Sequence, residues 1–287
     1  MRAVAMNEEQ GGFQQLTGFT RVQGNRRLGG SAGSAYWDRI LGELMDMLGG
    51  FGSADADVFI SSTAGFGGGG SRTLGGISMA NLNEAHPEEV KLILADINEI
   101  TGLSVDLDDN GYMRYRIPEG NLTGSITAAL FFIGSMNRAM ASEEIVNVIE
   151  SEVLRVSSMD PNAPINLQNT IEFSIDEVYG YIKGTSADLN NKTSGFGMSF
   201  LHELGHTRVG GRLQDDSPEN PNYGPNIDIQ NQIRRELGTN WGQEKTHSPI
   251  WIAADPTRNF FPYSDQALKT LQEGKIPTSG FIWVKRL

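Results

Sequence analysis

The chain has 287 residues, with 23 Lys and Arg against 35 Asp and Glu, a formal net charge of −12, and 38% hydrophobic residues. That length allows one large domain or two small ones, and the acidic balance argues against a nucleic-acid surface or an anionic membrane as partner. No cysteine is present, so the fold has no disulfide frame or thiolate metal site and is expected to be stable in a reducing cytosol.

Met1 to Gln10 lacks an apolar core and carries Glu8 and Glu9, which is not the pattern of a secretory signal peptide. Residues 1–76 hold about half of the 35 glycines. Gly29 to Ser34 and Gly65 to Ser71 read as flexible linker. Between them Trp37, Ile40, Leu41, Leu44, Met45 and Leu48 have helical spacing, so one amphipathic helix is expected over Ala35–Leu48. The glycines near residue 67 are not followed by Gly-Lys-Ser/Thr, so they make no P-loop.

From residue 77 to 287 the pattern is that of an α+β domain. Pro87 begins a helix with Glu88 and Glu89 in its first turn. Its apolar stripe is Val90, Ile93, Leu94, Ile97 and Ile100, and Gly102 is its stop. Leu103 to Leu107 and Tyr112 to Ile117 alternate around Asn110-Gly111, a β-hairpin signature. The same stretch imitates an EF-hand loop through Asp106, Asp108, Asn110 and Gly111. Ile117 stands where calcium needs a bidentate Glu, so the hairpin is preferred.

Ile126 to Met140 is apolar and reads as a buried strand or a helix, the helix being preferred; its apolar stretch Ala128–Ile133 is too short to span a bilayer. A helix capped by Ser142 is expected next, with Ile145, Val148, Ile149, Val153 and Leu154 inward. Ile171 to Ile175 alternates as a strand, either an ordinary sheet strand or a cleft rim that pairs with substrate backbone. Asn226 to Leu237 is a helix with Gly238 as stop. The tail holds a short strand at Ile250–Ile252, a helix from Ser264 to Glu273 and a final strand at Phe281–Val284. No internal repeat is present.

The chemistry concentrates in Met198-Ser199-Phe200-Leu201-His202-Glu203-Leu204-Gly205-His206, which contains H-E-x-x-H. On a helix, residues four apart lie about 40° apart on one face. His202 and His206 can therefore aim two imidazole nitrogens at one cation, while the Glu203 carboxylate reaches a water beside it. Zinc suits imidazole donors and needs a third protein ligand to leave one open position. Glycine three residues and His or Asp six residues after the second histidine would continue a metzincin pattern; Val209 and Arg212 stand there instead. Asp215 and Asp216 follow the Gly210-Gly211 turn, Asp228 and Glu236 lie on the next helix, and His247 is farther along; each is a candidate third ligand. Tyr223, Arg234, Arg235 and His247 are candidate donors to a developing oxyanion.

Gly197 to Thr207, Gly210-Gly211, Asp215, and Gly224 with Asn231-Gln232-Ile233-Arg234-Arg235-Glu236-Leu237-Gly238 resemble the zincin-type metallopeptidase toxin domains found at the C-termini of Rhs-type polymorphic toxins. Ile97 to Leu103 and Asp109 to Tyr112 are also similar, so the resemblance covers about residues 85–250. It implies a zincin-like fold, with a small sheet packed on the active-site helix after a Gly-rich leader. It further implies Zn2+ held by His202, His206 and Asp215, with Glu203 as general base. The activity implied is endopeptidase cleavage of a protein or peptide substrate by a secreted effector, delivered by a route without a signal peptide. An immunity protein and delivery machinery would be its partners, whereas Rhs core repeats are absent from this chain. Two other readings stand beside it: a non-catalytic binding or structural domain on a degenerate zincin fold, and a metal amidase acting on cell-wall peptides.

Overall fold

The computed structural model describes residues 75–118, 122–216, 224–247, 250–252, 255–277 and 279–284. These all lie in one compact unit bounded at Gly68–Leu287. The expected leader helix at Ala35–Leu48, the Gly-rich segments around it, and Tyr223 lie outside the described residues. The domain is mixed α+β, with eight α-helices and nine strands among the described residues.

The first strand, β1 (Gly76–Ser78), precedes the short helix α1 (Ala80–Ala85) and then α2 (Pro87–Thr101). Helix α2 starts and stops as its sequence dictates: Pro87 fits the first turn, and Gly102 takes a left-handed φ of 70° at the C-cap. That conformation suits a residue without Cβ. Val90, Ile93, Ile97 and Ile100 are buried. The hairpin β2 (Ser104–Leu107) and β3 (Met113–Arg116) follows. Asp108 organises its turn by accepting from the backbone of Asn110 at 2.9 Å and Tyr112 at 3.0 Å. Helix α3 (Ile126–Ala141) is capped by the Ser125 hydroxyl and buries most of its surface.

The expected helix after Ser142 is instead the strand β4 (Ile145–Glu150). Glu143 adopts a left-handed φ of 57°, which turns the chain sharply out of α3. The buried Glu144 side chain then accepts a 2.6 Å hydrogen bond from Asn169 and pairs with Arg208, rather than serving a helix N-terminus. Ile145-Val146-Asn147-Val148-Ile149 is rich in β-branched residues, and its alternate members Val146 and Val148 are buried, as a strand period requires.

The chain continues through β5 (Arg155–Val156), the single turn α4 (Ile165–Gln168), β6 (Thr170–Phe173) and α5 (Ile175–Gly184). Four strands form one sheet in the order β1-β4-β6-β5, parallel except for β5. Strand β6 is therefore interior, with both edges paired, and cannot be a substrate-binding rim. The edge belongs to β5. Ser174 ends β6 by capping α5 through the Glu177 amide at 3.2 Å, and Glu177 in turn accepts from the Leu154 amide at 2.8 Å, just ahead of β5.

Helix α6 (Phe196–His206) carries H-E-x-x-H and is buried on almost every side. It packs along α2, and Gly197 is where they meet. A Cβ there would lie 2.6 Å from Asp96 Cβ and 2.9 Å from both the Asp96 carbonyl carbon and Ile100 Cδ1. Gly197→Ala is expected to destabilise the protein by about 1–3 kcal/mol through overpacking, measured as a lower midpoint in urea unfolding with unchanged slope. Helix α7 (Pro225–Leu237) follows, then a 3-10 turn at Thr239–Trp241. Strands β7 (Ile250–Ile252), β8 (Asp255–Pro262) and β9 (Gly280–Val284) form a second, antiparallel sheet in that order. Helix α8 (Asp265–Gln272) lies between β8 and β9, capped by Ser264. No helix among the described residues is long and apolar enough to cross a membrane.

Candidate metal centre

The last turn of α6 places His202 Nε2 and His206 Nε2 3.1 Å apart. The helix then ends at Thr207, whose hydroxyl donates to the Leu204 carbonyl at 2.7 Å and accepts from the Gly210 amide at 2.9 Å. Gly211 (φ 107°) and Arg212 (φ 53°) are both left-handed and reverse the chain, so that the Leu213 amide bonds the Gly205 carbonyl at 2.9 Å. This reversal has two results. The Leu213 carbonyl, which only accepts, lies 2.7 Å from His206 Nδ1, so Nδ1 carries a proton and Nε2 is the nitrogen that faces the cluster. Asp215 also comes to the imidazoles, with Oδ1 3.4 Å from His202 Nε2 and Oδ2 3.0 Å from His206 Nε2.

His247 joins from beyond α7. Its Nε2 lies 3.2 Å from Asp215 Oδ2, and its Nδ1 is 3.0 Å from Glu244 Oε1. His202, Asp215 and His247 form a triad whose donor atoms lie within 4.8 Å of one another. Glu244 is buried beside Arg234, 3.4 Å away. Arg234 also reaches the Tyr263 hydroxyl at 3.3 Å, with its guanidinium over the Tyr263 ring.

The electrostatics follow from this crowding. Burial opposes the Asp215 charge, but the His202 charge and hydrogen bonds from His202, His206 and His247 outweigh it and hold the carboxyl well below the usual carboxylate range. Burial also disfavours charged imidazoles, yet the Asp215 and Glu203 carboxylates and the Leu213 carbonyl raise His206, and Asp215 and Glu244 push His247 up to about 10. Glu203 is 5% exposed and is raised chiefly by desolvation. Its Oε2 is buried without a hydrogen-bond partner, which is costly for a carboxylate in a fold that gains nothing from it.

These donors are close enough together to hold a metal ion. Ligand bonds of about 2.0–2.2 Å place donor atoms roughly 3.3 Å apart, and His202 Nε2, His206 Nε2 and the Asp215 oxygens are separated by 3.1, 3.4 and 3.0 Å. The other acids considered as ligands are placed elsewhere. Asp216 and Asp228 are exposed. Glu236 accepts from Ser125 Oγ at 2.7 Å and from the Thr127 amide and hydroxyl at 3.0 and 2.7 Å, which pins α7 to the start of α3. Arg235 bonds Gln232 at 2.6 Å.

The cluster opens into a cleft of about 560 Å³, lined also by Leu154, Arg155, Val156 and Met159 around β5 and by Ser194, Arg234, Phe261 and Tyr263. No known protein-family model, curated protein or solved structure matches this chain. Three contributors were not evident from motifs. Asn226 touches three members of the cluster. Glu244 stands three residues before His247, and Tyr263 lies on a distant segment. Of these, the Glu244–His247 spacing was the one readable signal.

Proposed function

We propose that the chain is a zincin-like, zinc-dependent endopeptidase. The supporting observation is the convergence of His202, His206 and Asp215 beside a buried, unpartnered Glu203 oxygen on the wall of an open cleft. Those three residues would hold Zn2+, which when bound supplies Lewis-acid polarisation of the scissile carbonyl. Glu203 takes a proton from the attacking water and passes it to the leaving amine. Its raised pKa suits both halves of that transfer. His247, held at Nδ1 by Glu244 and lining the same cleft, would donate from Nε2 to the oxygen that gains charge, in exchange for its contact with Asp215. Strand β5 is the rim on which an extended substrate can lie, since its outer edge is not paired within the described residues.

The proposed setting is that of a delivered effector cutting a protein in a target cell, with an immunity protein as its natural antagonist. A chain without cysteine suits action in a reducing cytosol.

One observation favours a second reading. His247 Nε2 lies as close to Asp215 as the α6 imidazoles do. As a fourth ligand it would close the coordination sphere and make the site structural. Both readings require the purified chain to bind one zinc per molecule. Free zinc at 100 times its Kd should then raise the unfolding free energy by about 2.7 kcal/mol, and a chelator should reverse this. Absence of both effects would reject a metal site. New N-termini in the proteome of cells expressing the chain distinguish the peptidase from the structural site, which produces none.

A further inference from the structure

Asn226 has no exposed surface and enters the cluster from the first turn of α7, where its own amide bonds the Gln214 carbonyl at 3.0 Å. Its side-chain Nδ2 lies 3.0 Å from Asp215 Oδ1, 3.2 Å from the His202 carbonyl and 3.2 Å from His206 Nε2. The first two neighbours are acceptors only, so the amide must present its nitrogen to them. Its Oδ1 is left buried without a partner. That oxygen sits against Gly205: a Cβ on Gly205 would clash with it and lie 3.1 Å from the side-chain amide carbon. A glycine inside a helix and an orphaned buried carbonyl are both unfavourable, and they share one explanation.

We infer that Asn226 is the positioning residue for the third metal ligand, admitted to the centre by the missing side chain at Gly205. Its bond to Oδ1 fixes the plane of the Asp215 carboxylate and leaves Oδ2 turned toward His206 and His247, while Oδ1 also faces His202. A second bond, to the His202 carbonyl, ties that carboxylate to the helix bearing both histidines. The inference rests on the zinc reading above.

The test is a zinc competition titration of the full chain against a chromophoric chelator, with Co2+ absorption spectra and apo thermal midpoints recorded in parallel. Asn226→Ala is expected to weaken zinc binding by roughly 10–100-fold, the usual range for loss of an outer-shell partner, and to alter the Co2+ bands. Gly205→Ala, which displaces the amide, should do the same. Should Asn226→Ala fail to fold, Asn226→Ser retains a short polar group that cannot span to Asp215 and is read in the same way. Wild-type affinity and spectrum in a folded Asn226 variant overturn the inference, even if its apo midpoint falls. A wild-type chain that binds no zinc overturns the metal reading itself.

Discussion

Glu203→Gln should abolish turnover while the protein still folds and still binds zinc. The side chain is 5% exposed with one oxygen unpaired, so an amide of the same shape replaces a carboxylate that is costly to bury. Apo stability should therefore not fall. What disappears is the group that accepts a proton from water, and general base catalysis contributes about 10²–10⁴-fold. The comparison is a new-N-terminus profile of cells expressing wild type or variant, with metal content of both purified proteins. Cleavage at the wild-type rate in the variant would remove Glu203 from the mechanism.

Asp215→Ala should cost more in metal than any other single change outside α6. The carboxylate approaches His202, His206 and His247 together, so its loss removes a donor and the one carboxylate that reaches all three imidazoles. Zinc affinity should fall by more than the roughly 10–100-fold of an outer-shell loss. The same titration against a chelator measures it. Were Asp216, Asp228 or Glu236 the ligand instead, Asp215→Ala would keep wild-type affinity. The bonds of Glu236 to Ser125 and Thr127 and the exposure of the other two favour the loss.

What could be read from sequence depended on whether the deciding interaction was local. Helix α2 carries its own start, stripe and stop, and the β2–β3 hairpin carries its own turn. Both stand within a residue or two of expectation. Ile145–Glu150 satisfies a helical and a strand period at once. Its identity is settled by β1 and β6, which are distant in sequence and invisible to a local pattern. Ser174-Ile175-Asp176-Glu177 was a legible capping signal for α5 that the preceding alternation obscured. Strand β8 is bracketed by Pro256 and Pro262, residues that usually demote a strand.

The same division holds at the site. His202, Glu203 and His206 are related by helical geometry alone, and the turn at Gly210-Gly211 made a returning acid foreseeable. Which acid returned depended on two left-handed residues and the Leu213 amide bond. Asn226 enters through packing between elements, for which no spacing rule exists, whereas Glu244 stands three residues before His247. Glu236 was a plausible ligand by position, and the hydroxyls of a helix 109 residues away in the chain claimed it.

Strand β5 is two residues long. A long open edge is a template on which copies of a protein stack and aggregate, and shortness with a charge such as Arg155 is a recognised safeguard. Two residues also limit what a visiting chain can gain there: a couple of main-chain bonds, each worth about 0.5–1.5 kcal/mol net. Tight recognition by this rim would therefore have to come from side chains entering the cleft that Met159 and Tyr263 help to line, and selectivity would be read residue by residue and not from extended backbone alone.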